Sequence, residues 1–292
     1  MEMEKEKLSV IVPVYTADRY LLEMFEKLCL DGLRRCADPG LQLVVVDDAS
    51  PLGSETEALV RRTSSWAETV YIRNASNLGY VKSVNAGLAA AAGGLLLLCN
   101  SDTRLTTGAL ERLRATLAGR PSAGMAGPVS NGGFSSALQQ CRRGPPPLRS
   151  FSPEELARFD EFGRALSSSP AAPAAAGWLL GFCLLIRRAV YEEIGSFDED
   201  FGFGYMEEMD YAIRARRAGW ELLAVPDAFV YHGGLRTGVQ FAAPNAGSQT
   251  GRLFPFRSFF RIMKGQAVLI RKYGWKVMGV PQDAAGAAAR GF

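Results

Sequence analysis

Short apolar runs alternate with segments of helical spacing from residue 8 to residue 118. Runs such as Leu8-Ser-Val-Ile-Val-Pro-Val14 and Leu41-Gln-Leu-Val-Val-Val46 are rich in β-branched residues, which favour strands. Strands are predicted at 8–14, 41–46, 69–73 and 94–99, and helices at 20–35, 54–65, 81–92 and 107–118. This alternation is typical of an α/β protein with a parallel, doubly wound sheet.

The regular pattern breaks between residues 128 and 173, where Gly, Ser and Pro are frequent. We predict one helix there, at 153–166, and interpret the rest as a variable lobe or lid. Beyond it, the pattern predicts an ordered apolar segment at 177–186, a helix at 207–218, and strands at 220–224 and 228–231.

The stretch 253–280 mixes aromatic and basic residues and predicts an amphipathic helix. Two roles stay open for it: packing back onto the domain, or peripheral contact with the inner face of a membrane. The most apolar stretch, 171–186, is shorter than the roughly 20 residues that a membrane-spanning helix needs, so we assign it to the core.

Composition narrows the class of protein. A chain of 292 residues, 48% of them hydrophobic, is long enough to bury a large core. The net charge of +3 is nearly balanced, and we expect no nucleic-acid partner. Five cysteines without C-x-x-C spacing argue against a disulfide framework and a zinc knuckle. Because the charged N-terminus also lacks the apolar segment of a secretion signal, we expect a cytoplasmic protein.

Polar residues follow the predicted strands at the points where the strands end. Because the carboxyl ends of parallel strands meet at one edge of the sheet, these residues can converge on one ligand. They are Tyr15, the pair Asp47-Asp48, Asn74 with Asn77, and Asn100-Ser-Asp102. In an extended segment the side chains of Asp47 and Asp48 point in opposite directions, and we choose Asp47 to face the ligand.

Asp102 follows four consecutive leucines, which are typical of a strand covered on both faces. This position makes it a candidate ligand for a metal ion or a phosphate. The alternative is that Asp102 only organises the turn into the next helix. Lys82 lies near another predicted helix start, where anions are favoured, although an ordinary Gly-containing loop with a capped helix is the better explanation of this segment taken alone.

A second cluster brings three acidic residues together: Glu207, Glu208 and Asp210. Acids at the start of a helix are stabilised by its dipole, so a capping role is one interpretation. Crowded like charges can also raise a pKa and create a general base. His232, the single histidine, ends a predicted strand and is either a structural residue or a ligand.

Taken in order, these segments resemble the family 2 inverting glycosyltransferases of GT-A fold, over roughly residues 8 to 240. The matching motifs are Ser9-Val-Ile-Val-Pro-Val-Tyr15, Val45-Val-Asp-Asp-Ala-Ser50, Asn77-Leu-Gly-Tyr, Asn85-Ala-Gly, Leu98-Cys-Asn-Ser-Asp102, Gly181-Phe-Cys-Leu-Leu-Ile-Arg-Arg188, Gly195-Ser-Phe-Asp-Glu199, Glu207-Glu-Met-Asp210 with Arg214, and Val230-Tyr-His232. Each motif alone is weak, but their common order is specific.

The resemblance implies a doubly wound, mostly parallel sheet with a small acceptor-side subdomain, followed by a helical C-terminal tail. The glycosyltransferase domain would span 1–240 and the tail 241–292. Within the domain, it implies a nucleotide-binding half at about 1–127, an insert at about 128–175 and an acceptor half at about 176–240.

The resemblance also implies roles for individual residues. The residues that line the nucleotide pocket would be Pro13, Tyr15, Asp47 and Asn77. We add Lys82 and Asn100 as further residues that would bind the nucleotide or its metal ion. Asp102 would be the metal-binding end of a D-x-D-type motif, and His232 would complete the site for the metal ion and the diphosphate. Mn²⁺ or Mg²⁺ is the expected ion.

Two positions depart from the family pattern. Asn100 replaces the first acid of the D-x-D motif, and an amide coordinates a cation more weakly than a carboxylate does. Similar N-x-D motifs occur in the family, especially among enzymes that resemble rhamnosyltransferases. Glu207-Glu208 stands where relatives usually have Glu-Asp, so the base would be one methylene longer. Glu208 is our predicted base, with Asp210 as the second candidate.

The expected activity is transfer of a hexose or deoxyhexose, by single displacement, from a UDP- or dTDP-linked donor to an acceptor hydroxyl. A glycan, a lipid-linked molecule or a protein would be the acceptor, in the assembly of cell-surface polysaccharide or glycoconjugates. The alternative is a catalytically silent sugar-nucleotide-binding or scaffold subunit. A nucleotidyltransferase would need a Gly-rich basic loop after the first strand, and a dehydrogenase a G-x-G-x-x-G; neither is present there.

Overall fold

The structure is a computed structural model that describes residues 6–131, 138–141, 144–233, 254–289 and 291. The predicted boundary between domain and tail, at residues 240 and 241, lies outside the described residues. Residue 253, the expected first residue of the tail helix, lies outside them as well. The division of the chain at that point therefore stays a prediction.

The described residues form one sheet and ten α-helices. The strands are β1 (Leu8–Val14), β2 (Gln42–Asp47), β3 (Glu68–Arg73), β4 (Leu95–Cys99), β5 (Thr103–Leu105), β6 (Ala123–Val129), β7 (Ala174–Ala176), β8 (Cys183–Arg187) and β9 (Glu221–His232). The α-helices are α1 (Arg19–Met24), α2 (Asp31–Arg35), α3 (Gly53–Arg61), α4 (Tyr80–Ala90), α5 (Ala109–Ala118), α6 (Pro153–Ser167), α7 (Arg188–Ile194), α8 (Glu207–Arg217), α9 (Phe254–Tyr273) and α10 (Ala284–Ala289). Shorter helical segments are the π-helix Phe25–Leu30 and the 3₁₀ helices Arg62–Ser65, Glu199–Phe201 and Trp275–Val277.

The strand order is β3-β2-β1-β4-β8-β6-β9-β5, with β7 also paired to β9. The N-terminal half is parallel: β1 pairs with β2 and β4, and β2 pairs with β3. In the other half β8 runs antiparallel between β4 and β6, and β9 is parallel to β6. The predicted α/β fold is confirmed, and the antiparallel strand β8 joins its two halves.

Several elements differ from the prediction: the short strands β5 and β7 and helix α7 were not predicted. Strand β6 was not predicted, because Ala123-Gly-Met-Ala-Gly-Pro-Val129 is built mainly from small residues and lacks a strand-like pattern. The two strands predicted at 220–224 and 228–231 are one strand, β9, whose pairing with β6 shifts register near Pro226. The helix predicted at 20–35 contains the π-helical segment Phe25–Leu30.

The core lies on both faces of the sheet. In β4, Leu97 belongs to one apolar cluster, while Leu96 and Leu98 belong to a second cluster on the other face. Alternate side chains of a strand point to opposite faces, so a strand of leucines packs against helices on both sides. The turn at the end of β4 is therefore fixed by a fully buried strand.

Helix α9 packs onto the domain. Its residues Val268 and Leu269 are buried in the second cluster, together with Tyr211 of α8. Phe260 and Met263, by contrast, are 66% and 49% exposed. In the part of the chain that the structure describes, no helix is long and apolar enough to cross a membrane.

Candidate active site

Strands β5 and β9 bring Asp102 and His232 together. Their antiparallel register pairs Thr103 with His232, and the backbone N–H of Gly233 donates to the carbonyl of Asp102 over 2.8 Å. The side chains follow the backbone: His232 Nε2 lies 3.4 Å from Asp102 Oδ1. Two residues 130 positions apart in the chain thus face the same point at the end of β4.

Asn100 begins the turn that ends at Asp102. Its backbone is fixed on both sides, because its N–H donates to the carbonyl of Phe182 over 2.9 Å and its carbonyl accepts from Thr103 Oγ1 over 2.6 Å. Its side-chain oxygen Oδ1 is buried and has no hydrogen-bond partner among the described residues. A buried polar atom without a partner is costly, and a bound cation would satisfy this one.

A carboxylate, an imidazole and an amide oxygen fit a divalent cation as a partial ligand set. Among the described residues, no three His, Cys, Asp or Glu side chains cluster so as to hold a metal ion. Mg²⁺ in proteins is commonly bound by one or two carboxylates together with substrate phosphates. Asp102, His232 and Asn100 therefore fit an ion that is bound together with a phosphate ligand.

Two neighbours fix the position of His232. Phe182 stacks on the imidazole, with ring centroids 5.0 Å apart and planes tilted by 17°. Asn131 holds the backbone, accepting from His232 N over 2.8 Å and donating to its carbonyl over 3.2 Å. Burial alone would lower the pKa of His232, but the charge of Asp102 and the hydrogen bond to it outweigh burial and raise that pKa.

The residues predicted to bind the nucleotide lie near the ends of the parallel strands. Pro13 is in β1, beside Val46 of β2, and the ring of Tyr15 directly after β1 is 42% exposed. Asn77 is exposed in the loop before α4. The ammonium of Lys82, on α4, lies 3.6 Å from Glu199 in the 3₁₀ helix that precedes α8.

Asp47 is fully buried at the end of β2 and is held by protein groups. Oδ1 accepts from the backbone N–H of Ser50 over 2.7 Å, and Oδ2 accepts from Tyr71 OH over 2.5 Å and from the guanidinium of Arg73. Burial, and next the hydrogen bond to Asp47, raise the pKa of Tyr71. The structure thus places Asp47 at the predicted edge with its carboxylate already engaged.

Asp48 organises the loop that follows β3. It accepts hydrogen bonds of 2.8 Å from Asn74 Nδ2 and from the backbone N–H groups of Leu78 and Gly79. Gly79 has φ 88° and a Cβ there would meet the ring of Phe203, so glycine is required at this position. The carboxylate of Asp48 therefore sets the course of the Asn77-Leu-Gly-Tyr segment, a role that sequence reasoning missed.

Glu207 and Glu208 begin α8 on the other side of the site. Glu208 lies against Gly181: a Cβ added to this glycine would be 3.5 Å from the Cβ of Glu208. Burial is the largest cause that raises the pKa of Glu208, against backbone hydrogen bonds that lower it. The pKa of Glu207 is raised by burial first and by the charge of Glu208 second. Desolvation, more than the predicted crowding of like charges, thus makes both carboxylates better proton acceptors.

Tyr80, the first residue of α4, lies beside Gly181, and sequence reasoning missed it although it ends a quoted motif. Its hydroxyl donates to the carbonyl of Gly181 over 3.3 Å. Burial raises its pKa most, and the charges of Glu207, Glu208 and Asp102 raise it further. Gly181 lies against Glu208 and Tyr80, and the next residue, Phe182, contacts Asn100 and His232, so the start of α8 and the turn after β4 both adjoin this pair of residues.

Asp210 is brought to a different place. Its carboxylate is fully buried and accepts from Arg214 Nε over 2.9 Å and from Tyr273 OH over 2.6 Å. The ammonium of Lys272 lies 2.5 Å away. The charge of Asp210 is therefore balanced by groups of α8 and α9.

The model of the glycosyltransferase like family 2 matches residues 6–245. The chain is 27% identical over 241 residues to an N-acetylglucosaminyl-diphospho-decaprenol L-rhamnosyltransferase of Mycobacterium tuberculosis (strain CDC 1551 / Oshkosh), which covers 77% of this chain and 75% of that protein.

Solved structures show the same fold at low identity. A mannosyltransferase of Pyrobaculum calidifontis in complex with GDP-Man and Mn²⁺ is 20% identical, with a TM-score of 0.53 over 98% of this chain and 74% of that one. GalNAc-T7 with UDP, GalNAc and Mn²⁺ is 16% identical, with a TM-score of 0.59 over 94% of this chain and 59% of that one. Both are similar to this chain in fold.

Proposed function

Since the chain belongs to the glycosyltransferase like family 2, we propose that it transfers a sugar from a UDP- or dTDP-linked donor to an acceptor hydroxyl, with inversion, and that Glu208 is the base. The observation that carries this proposal is that the pair Gly181–Phe182 adjoins two sets of groups: Asp102 with its partner His232, and the start of α8 with Glu207 and Glu208. The first set suits a diphosphate and its cation, and the second suits proton removal.

In the proposed step, the Glu208 carboxylate removes the proton of the acceptor hydroxyl. The acceptor oxygen forms a bond to the anomeric carbon as the bond from that carbon to the diphosphate oxygen breaks, and the electron pair leaves with the diphosphate. A single displacement inverts the anomeric configuration. Burial supports this role because it raises the pKa of Glu208. A general base near neutral pH is most effective when its pKa lies close to that pH.

Glu208 is preferred to Asp210 on contacts. Asp210 forms ion pairs with Arg214 and Lys272 and accepts a hydrogen bond from Tyr273, so its carboxylate is engaged in structural contacts. Asp210 consequently belongs to the support of α8 in this proposal, and the base is placed on Glu208.

Asp102, His232 and Asn100 would hold the divalent ion, for which Mn²⁺ and Mg²⁺ are the candidates. When bound, the ion supplies positive charge that stabilises the departing diphosphate. The chain itself keeps these ligands in place through the β5–β9 pairing and the stacking of Phe182 on His232. Two proteins of similar fold support this choice: the mannosyltransferase structure contains GDP-Man and Mn²⁺, and the GalNAc-T7 structure contains UDP, GalNAc and Mn²⁺.

The nucleotide would lie along the ends of β1 and β2. The exposed ring of Tyr15 can stack on a base, and Pro13 and Asn77 border the same edge. The buried Asp47 would act through its acceptor oxygens at the floor of this pocket, where Arg73 and Tyr71 fix it. Lys82, paired with Glu199, would act on the loop before α8.

A lipid-linked glycan is the acceptor class to test first, because the named relative acts on a diphospho-decaprenol. Glycan and protein acceptors are the other classes. Exposed Phe260 and Met263 on α9 would rest on the membrane that holds such a lipid, from the cytoplasmic side. The activity would then belong to the assembly of cell-surface polysaccharide or glycoconjugates.

The test combines binding with turnover. We expect UDP or dTDP with Mn²⁺ to raise the unfolding temperature of the wild-type chain. Glu208→Gln should keep that shift and lose transfer by about 10²–10⁴-fold. Glu192→Gln, at an exposed position on α7, is the matched control and should keep both.

Retained turnover in Glu208→Gln would move the base to another residue. Binding without turnover in the wild type, across donors and acceptors of all three classes, would favour the silent binding subunit. The absence of a thermal shift with every nucleoside diphosphate would overturn the donor site itself.

A further inference from the structure

Helix α9 touches the loop that leads to Glu208. The helix begins after residue 245, where the family match ends. Gly265 of α9 is buried, and a Cβ at this position would lie 2.4 Å from the carbonyl oxygen of Tyr205 and 3.3 Å from Met206 side-chain atoms. Glycine is unfavourable inside a helix, so this close backbone contact explains its presence.

The residues under Gly265 are those that most need support. Among the described residues other than glycine, only Ala49, Tyr205 and Met206 have positive φ, and the latter two stand together at 77° and 72°. Such backbone persists only where its surroundings hold it. Tyr205 and Met206 directly precede Glu207 and Glu208, so their conformation sets the direction in which α8 begins.

The C-terminal end of α9 holds the other side of Glu208. Lys272 Nζ lies 2.5 Å from Asp210 Oδ1, and Tyr273 OH donates to the same oxygen over 2.6 Å. Asp210 is fully buried two residues after Glu208. Burial, and next the hydrogen bond to Asp210, raise the pKa of Tyr273, so this phenol stays a proton donor.

Two further ion pairs hold the start of the loop. Lys272 Nζ also lies 2.6 Å from Asp198 Oδ2, and Arg271 pairs with Asp200. Burial would raise the pKa of Asp198, but the bonds from Lys272 and from the backbone N–H of Asp200 outweigh it and lower that pKa. Asp198 is therefore charged and attracts Lys272.

We propose that α9 is a positioning element of the active site: Gly265, Lys272 and Tyr273 hold the 198–210 segment so that Glu208 faces the acceptor. The contacts lie before and after Glu208 in sequence, at Asp198, at Tyr205–Met206 and at Asp210, and together they fix both ends of the segment. This proposal rests on the role of Glu208 as base.

Full-length Lys272→Ala and Tyr273→Phe test the proposal in two independent measurements. Hydrogen exchange of backbone amides in 198–210 should speed up in both variants, while β1 and β4 keep their protection. The kcat of transfer should fall by about tenfold to a hundredfold, with the donor KM unchanged, because a small displacement of a catalytic group is costly. Lys272→Arg should recover part of the lost rate.

Lys276→Ala is the matched control, because it removes one positive charge from an exposed position four residues further along. It should leave exchange and rate as in the wild type. Tyr273→Phe keeps the charge and most of the packing, so its exchange and rate remain informative even if Lys272→Ala unfolds. Unchanged exchange in 198–210 in Tyr273→Phe would overturn the proposal whether or not the wild type transfers sugar, whereas a wild type without turnover would count against the proposed function alone.

Discussion

The ion pair between Arg104 and Asp160 joins the insert to the strand beside Asp102. Arg104 follows Asp102 by two residues in β5 and its side chain is 0% exposed, while that of Asp160 on α6 is 4% exposed. Arg104 Nε and Nη2 donate to Asp160 over 3.1 and 2.6 Å, and Arg35 Nη1 donates over 2.7 Å. Replacing Asp160 by Asn keeps the shape and leaves the buried guanidinium without its counter-charge.

Breaking a buried pair by removing one partner costs about 3–5 kcal/mol. The Arg35 contact adds little to this, since that side chain is 54% exposed and its charge can be solvated by water. We therefore expect Asp160→Asn to lower the free energy of unfolding by about 3–5 kcal/mol. Thermal unfolding, followed by circular dichroism, should shift down by roughly 5–8 °C.

Two comparisons test the reasoning. Glu57→Gln breaks the exposed pair with Arg61 on α3 and should cost only about 0.3–0.5 kcal/mol. The double variant Arg104→Met with Asp160→Leu should recover much of the loss, because replacing both partners by apolar groups removes the unpaired charge. A loss below about 1 kcal/mol in Asp160→Asn, the upper limit for surface pairs, would refute the treatment of this pair as a buried ion pair.

Three further predictions concern the site and α9. The kcat of transfer should fall as pH drops through the raised pKa of Glu208, with a midpoint above 4.5; a midpoint at or below that value contradicts the desolvated base. Because burial raises the folded-state pKa of Glu207 above its unfolded value, its contribution to stability is present at low pH and is lost as pH rises through the folded pKa. Glu207→Gln should therefore unfold at a higher temperature than the wild type at pH 7 and lose that advantage in acid; equal stabilities at pH 7 count against it. Replacing Phe260 and Met263 by Ser should weaken sedimentation with anionic lipid vesicles by at least about tenfold, and unaltered sedimentation would exclude these residues from membrane contact.

How much of the fold the sequence predicts depends on the pattern of each segment. Strands β1, β2 and β4 carry β-branched or leucine runs, because both faces of a central parallel strand are buried. Strand β6 is equally buried but is flanked by large neighbours, so it is built from Ala and Gly: a Cβ on Gly124 would meet Val190 and Trp220. A small-residue strand has no hydrophobic period to detect, and its position follows only from the packing around it.

The candidate site divides in the same way. Asp102 and His232 are predictable because each ends a strand, and strand ends share an edge. The engagement of Asp47 by Tyr71 and Arg73 was not predictable, since it depends on the register of β2 with β3. Nor could the sequence assign Asp210, whose partners Lys272 and Tyr273 are more than sixty residues away.

The ion pairs formed by other acidic residues in 198–210 explain why Glu208 can remain available as a base. Asp198, Asp200 and Asp210 are each balanced by a cation of α8 or α9, so their charges act less on their neighbours. What raises the pKa of Glu208 is then mainly burial, which depends on the loop staying closed around it. Loss of the α9 contacts would admit water, bring that pKa back toward its ordinary value and make Glu208 a weaker base. On this reasoning the tail helix acts on both the direction and the basicity of the same carboxylate.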